Sequence, residues 1–107
     1  MRSVFKDVVA RLMDAEDELH YADPASLSAA QNASRARSIA AIGDAIADLV
    51  NQRLEDLTQA GQKALDGIDT ATSKLAGDLN RAQTAADTVQ VIAKALTTIT
   101  RLVALVK

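Results

Sequence analysis

The stretch DAEDELHY, residues 14–21, holds the one histidine of the chain, so metal or acid–base chemistry would have to be sought there. Glu16 and Asp17 precede His20 by four and three residues, which would put a carboxylate and an imidazole on one helix face for a divalent cation. This spacing is common, and no matching ligand cluster occurs elsewhere. A solvated acidic face, with His20 near a helix C-terminus, explains the same residues. We therefore expect no metal and no cofactor.

Nucleophilic catalysis has little support in the sequence. Serines and threonines are plentiful, but His20 is the only conventional general base, and no strand-to-helix elbow is present to expose a nucleophile. The four glycines are isolated from one another, so they do not form a Gly-rich phosphate-binding loop. The sequence therefore predicts that this protein is not an enzyme.

One compact basic spot lies in the middle of the chain, at Arg35 and Arg37, and with Arg81 it would suit an acidic partner surface. The pattern is also typical of solvated arginines beside a stripe of alanines, and we prefer that interpretation. The formal net charge is -2, with no polybasic run and no interleaved aromatic residues. Nucleic acid is therefore not an expected partner.

Length and composition indicate a single helical domain over residues 1–107. Alanine makes up about a fifth of the chain and aromatic residues only 2%, which favours an all-α core of Ala, Leu, Ile and Val. The N-terminal residues lack the unbroken apolar segment of a secretory signal, so classical export is not expected. The absence of cysteine suits either a cytoplasmic protein or one exported by another route.

The first predicted helix is short and spans about residues 3–21. Its apolar residues recur every three or four positions, and Ser3 is a plausible N-cap. The helix must end before Asp23-Pro24, because the residue ahead of proline is pushed out of helical geometry. Pro24 then suits the first position of a new helix, with Asp23 as its N-cap.

After Pro24 the chain carries two parallel stripes. One is large and apolar, and the other consists of small residues that would let a second helix axis approach closely. The large stripe includes Ile39, Ile42, Ile46, Val50, Leu54, Leu57, Gly61, Leu65 and Ile68. The small stripe consists of Ala29, Ala33, Ala36, Ala40, Gly43 and Ala47.

The segment around Gly67 decides between two architectures. A left-handed Gly67 closing one helix, followed by Asp69 or Thr70 capping the next, predicts a long antiparallel hairpin of about 24–66 and 69–106. With the short first helix this is an elongated three-helix bundle, which we favour. The apolar stripe keeps its phase through Gly67, however, so one continuous helix in a coiled-coil oligomer is the alternative. Gly61 and Gly77 are weaker break points.

The C-terminal segment VIAKALTTITRLVALVK, residues 91–107, is amphipathic until Arg101 and then apolar on all sides. Such a helix end is typically buried in an interface or in lipid. We therefore expect association with copies of this chain or with a partner helix. Docking of the segment within its own chain is the next alternative, and membrane insertion is the least favoured because Trp, Phe and a strong basic face are missing. The residues expected to carry association are Leu102, Val103, Leu105 and Val106, together with the close-packing face of Ala33, Ala36, Ala40 and Gly43.

In size and in its predicted helical hairpin, the chain resembles the small all-α proteins that bacteria export through specialised secretion systems, or that act as their chaperones, immunity partners or filament subunits. The resemblance is one of general shape and carries no residues over. The Trp-x-Gly turn of one hundred-residue group of such proteins is absent, since the chain has no tryptophan. The resemblance in shape implies a non-enzymatic interaction module. The alternative is a membrane-active protein that inserts its apolar C-terminal helix.

Overall fold

Four α-helices and two short 3-10 turns make up the computed structural model, which describes residues 4–107. The helices are α1 (Val4–Tyr21), α2 (Ala29–Val50), α3 (Gln59–Arg81) and α4 (Ala85–Val106), with 3-10 turns at Pro24–Ser26 and Leu54–Asp56. They pack into a globule of 45 × 22 × 17 Å. The all-α prediction is confirmed, and the end of α1 at Tyr21 agrees with the proline signal.

The predicted hairpin of 24–66 and 69–106 is wrong, because Pro24 starts only a 3-10 turn, α2 begins at Ala29, and the chain breaks at two further places. The first predicted long helix is interrupted at 51–58, and the second begins only at Ala85, after a turn at 82–84. The chain runs through Gly67 in the middle of α3. Residues 4–107 therefore form four helices where three were predicted, and the continuous helix of the alternative prediction is absent from this part of the chain as well.

Hydroxyl side chains mark each new helix start. Thr58 Oγ1 accepts the backbone N–H of Gly61 at 3.0 Å, and Thr84 Oγ1 accepts that of Asp87 at 3.0 Å. Ser28 does the same for Gln31, whose side chain accepts the Ser28 N–H at 2.8 Å, completing a capping box. Each cap satisfies an N–H that the first helical turn leaves without a partner, so the chain can restart there at low cost.

Gly67 lies inside α3 and does not form the predicted turn. No glycine among residues 4–107 has a positive φ, so Gly67 is an ordinary helical residue. A Cβ atom built on it would lie 3.1 Å from Leu102 Cδ1. The missing side chain therefore lets α3 and α4 approach closely, and the small residue that suggested a turn is a packing residue.

The bundle consists of neighbouring helices in the order α1, α2, α4, α3. Helix α1 packs against α2 and α3, and α4 packs against the same two helices from the other side. The start of α1 lies beside the end of α2, while the C-terminal ends of α2 and α4 meet, since Lys107 Nζ lies 3.0 Å from Asp48 Oδ2. Helices α2 and α4 therefore run parallel, and residues 51–58 carry the chain across one end of the bundle.

The core is aliphatic, and a polar tie centred on Arg11 joins α1 to α3. Arg11 donates to the Asp69 carboxylate, to the Asp69 carbonyl at 3.2 Å and to Thr72 Oγ1 at 3.3 Å. Thr72 is fully buried, and its hydroxyl donates to the Ile68 carbonyl at 2.9 Å. Each buried side-chain polar atom among the described residues has a partner, so these hydrogen bonds offset the desolvation cost of the tie beside the core. The largest buried side chains are Leu12, Leu19, Ile42, Leu49, Leu65, Ile68, Leu75, Ile92 and Ile99.

The glycine environments predict opposite effects of substitution at two helical sites. A Cβ at Gly43 would have no neighbour within 4 Å, so Gly43→Ala should stabilise the fold by about 1 kcal/mol through helix propensity. Gly67→Val should destabilise it by about 1–3 kcal/mol, because the added methyls overpack against Leu102. Urea denaturation of both variants measures the difference. A Gly67→Val protein as stable as the wild type would contradict the close approach of α3 and α4.

Candidate functional site

The acidic run lies on the outer face of α1 near its C-terminal end. Asp17 and His20 are exposed and Glu16 is half-buried. Within residues 4–107, no three His, Cys, Asp or Glu side chains come close enough together to hold a metal ion. The run therefore gives α1 a concentrated negative charge in its second half, and the structure assembles no ligand set around it.

The basic spot is divided between two different environments. Arg35 is half-buried, and its Nε donates to the Leu19 carbonyl at 2.6 Å, at the end of α1. Arg37 is exposed. Arg81 forms an ion pair with Asp78, one turn earlier in α3, with Nη1 3.7 Å from Oδ1. Arg35 therefore caps a helix that precedes it by sixteen residues, which the preferred interpretation as a solvated side chain missed. No local pattern signals this contact, because it depends on how α1 and α2 pack.

The C-terminal residues predicted to carry association lie mostly inside the bundle. Val103 and Val106 are buried in the core, and Leu102 is half-buried against Gly67. Only Leu105 is on the surface, with 58% of its area exposed. Four helices cover more of α4 than the predicted three could, and the Lys107–Asp48 ion pair holds the end of α4 against α2. As folded, Val103 and Val106 are not available to another chain.

The small residues of α2 face away from the bundle. Ala33, Ala36 and Ala40 are exposed and Gly43 is half-exposed, whereas α2 turns a different face to the core. That buried face consists of Ser38, Ile42, Ala45 and Leu49. The predicted close-packing face therefore takes no part in packing within this chain, and it remains open to another helix.

An apolar groove lies where the start of α1 meets the end of α2 and the 3-10 turn that follows. It has a volume of about 960 Å³ and is open to solvent. Met13, Val50 and Leu54 line it with 52%, 60% and 48% of their areas exposed. We call this feature the α1 groove; its lining residues are Val4, Phe5, Lys6, Val9, Ala10, Met13, Leu49, Val50, Gln52, Arg53, Leu54 and Glu55.

Charge around the α1 groove is unevenly distributed. Lys6, Arg53 and Glu55 are exposed and line the groove, so its rim has one net positive charge. Beyond Met13 the exposed face of α1 turns acidic at Asp14, Asp17 and Glu18. A cationic apolar groove and an anionic helix surface therefore follow one another along the same helix.

Sequence reasoning did not find this groove. Its floor is made by Phe5 and Leu49, and its far wall is the 51–58 connection, which was predicted to be helical. The exposure of Val50 and Leu54 follows from that break, because α2 ends before it can carry them into a helix interface. The one available signal was the pair Leu57-Thr58, which repeats the Leu27-Ser28 start of α2.

Comparison with protein-family models, with curated proteins and with solved structures gives no match for this chain. By length and composition one described helix, α4, is apolar enough to cross a membrane, although in the fold it contributes Ile92, Leu96 and Ile99 to the core. The candidate site is therefore defined by its geometry: the α1 groove, with the small-residue face of α2 as a second exposed surface.

Replacing Arg35 and replacing Arg37 should change the stability of the fold by different amounts. Arg35→Ala should destabilise the fold by about 1–2 kcal/mol, because it removes a charge-assisted hydrogen bond to the Leu19 carbonyl. Arg37→Ala, on the exposed side of the same helix, should change stability by less than about 0.5 kcal/mol. Thermal and urea unfolding followed by circular dichroism compare the two. Equal effects of both substitutions would show that Arg35 is only a solvated side chain.

Proposed function

We propose that this protein is a non-enzymatic helical interaction module that binds a helix, either of another copy or of a partner protein. The observation that carries the proposal is the α1 groove, where Met13, Val50 and Leu54 each leave about half of their surface in water. Grouped exposure of large apolar side chains is costly, since covering such area is worth about 25 cal/mol per Å². Grouped patches of this kind mark interaction surfaces more often than isolated exposed leucines do.

The shape and chemistry of the groove favour a helix over a small molecule. Small-molecule pockets enclose the ligand and aim a few polar groups at it. The α1 groove is open, its interior is apolar, and its charged residues Lys6, Arg53 and Glu55 are exposed. An amphipathic helix supplies an apolar stripe for such a groove and polar flanks for its rim.

The outer face of α2 supports the same function. Ala33, Ala36, Ala40 and Gly43 form a smooth surface on which a second helix axis can come close. Two exposed surfaces suit an adaptor, a chaperone, an immunity-like partner or a self-assembling subunit. We assign the protein to that class, with association to a bacterial secretion system as the cellular setting to examine.

Placing charge in the α1 groove should prevent association. The double variant Val50→Lys and Leu54→Lys puts two cations into the apolar lining, and the expected result is a loss of binding by at least tenfold, or about 1.4 kcal/mol. Lysine at the end of α2 favours the helix dipole, so the fold should persist. Multi-angle light scattering after size exclusion, and titration against any partner in hand, measure the loss.

The matched control adds the same two charges elsewhere. Thr97→Lys with Thr98→Lys lies on the exposed face of α4 and should leave association unchanged. Leu105→Lys tests the remaining C-terminal residue. If Leu105→Lys abolishes association and the groove variant does not, the binding surface lies at the end of α4 and the groove assignment is wrong.

The apolar length of α4 favours a second candidate, a membrane-active protein that releases this helix into lipid. As folded, its apolar stripe fills the core, and its exposed face carries Lys94, Thr97 and Arg101. We therefore expect no dye release from vesicles containing anionic phospholipid at neutral pH. Dye release that Ile99→Lys abolishes, with the protein recovered in the vesicle fraction, would favour the membrane-active protein over the interaction module.

A further inference from the structure

We propose that the occupant of the α1 groove is a second copy of this chain, with the two α1 helices antiparallel about a two-fold axis. The inference rests on the proposed function and names the partner for the same site. The argument for a copy of the chain comes from charge, because α1 carries both the groove lining and a surface complementary to it.

The charges of α1 are separated along its length. Lys6 is exposed in the first half, Ala10 and Met13 are exposed in the middle, and Asp14, Asp17 and Glu18 are exposed in the second half. The cationic end is reinforced by Arg53 on the other wall of the groove, with Glu55 nearby. Asp7, the acid of the first turn, is half-buried and points about 100° away from Lys6 around the helix. The exposed line of Lys6, Ala10, Met13 and Asp17 thus has a cation, an apolar centre and an anion, and it is complementary to itself only when it is reversed.

The spacing of the exposed residues fits such a pairing. Positions 6, 10, 13 and 17 are separated by four, three and four residues, so they lie on one line along the helix. With the axis between Ala10 and Met13, Lys6 faces Asp17 of the second copy, and Ala10 faces Met13 of the second copy. The symmetry makes each contact occur twice, and a large side chain meets a small one in both.

A parallel arrangement would oppose these contacts. It would bring Lys6 beside Lys6 and Asp17 beside Asp17, and like charges across an interface are unfavourable. The antiparallel arrangement also brings the acidic half of the second copy's α1 towards the rim that holds Lys6 and Arg53. The exposed part of Met13 then meets Ala10, which lines the apolar groove of the other copy.

Charge reversal tests this pairing. Lys6→Glu and Asp17→Lys should each weaken the dimer at least tenfold in Kd, because each change turns two attractions into two repulsions. The double variant Lys6→Glu with Asp17→Lys should recover to within about threefold of the wild-type Kd, since the pairs are restored with their signs exchanged. Sedimentation velocity over a range of concentrations, at low and at high salt, gives the Kd of each protein.

Misfolding does not explain the expected losses. Glutamate near the start of α1 and lysine near its end both favour the helix dipole, so each single variant should keep its helicity. Lys6 and Asp17 lie about 16 Å apart along one helix, so recovery by the double variant requires contact between two chains. Lys74→Glu, a charge reversal at an exposed position of α3, is the control and should leave the Kd unchanged.

Two results would overturn the inference. A wild-type protein that remains monomeric at submillimolar concentration excludes a second copy as the occupant, while a partner helix bound through Val50 and Leu54 would keep the proposed function. A dimer that both single variants leave intact, or that the double variant fails to recover, places the interface on another surface. Failure of the Val50 and Leu54 variant to affect any association would instead remove the proposed function itself.

Discussion

Each helix of this protein carries one apolar stripe that it can bury only against the other helices. A single amphipathic helix has no partner for its stripe in water, and most helical stability comes from covering that face. Helix α4 shows the constraint most clearly, because Val89, Ile92, Leu96, Ile99, Val103 and Val106 are all buried. The turns, the close approach at Gly67 and the polar tie at Arg11 all serve to bring the four stripes together.

The positions of the turns set what the bundle leaves exposed. Thr58 and Thr84 start α3 and α4 with hydroxyl caps, so the chain folds back twice where one hairpin was expected. The break before Thr58 leaves Val50 and Leu54 at the surface next to the start of α1. The α1 groove is thus a consequence of where α2 stops, and the interaction function we propose depends on the same eight-residue connection.

Local sequence rules predicted the helical class, the end of α1 and the Asp23 cap, because proline geometry acts within one or two residues. The helix predicted to start at Pro24 is only a 3-10 turn there, and α2 begins at Ala29 behind its own cap, Ser28. They failed at 51–58 and 82–84, where the apolar phase continues across each break and hides it. A lone hydroxyl before a helix is a weak signal, and Asp-Gly at 66–67 was a stronger one that tertiary packing overrode. The Arg35 cap and the α1 groove lay beyond local rules, since both are made by residues far apart in sequence.

The parallel course of α2 and α4 also bears on how the chain folds. The structure consists of two antiparallel pairs, α1 with α2 and α3 with α4, each closed by a short connection, and the pairs lie side by side. Contacts within a pair are close in sequence and cost little loop-closure entropy, whereas contacts between the pairs span long separations. Each helix pair is thus expected to form early in folding, and the two pairs are expected to pack against each other late. Because residues 51–58 link the pairs covalently, they raise the effective concentration of one pair around the other.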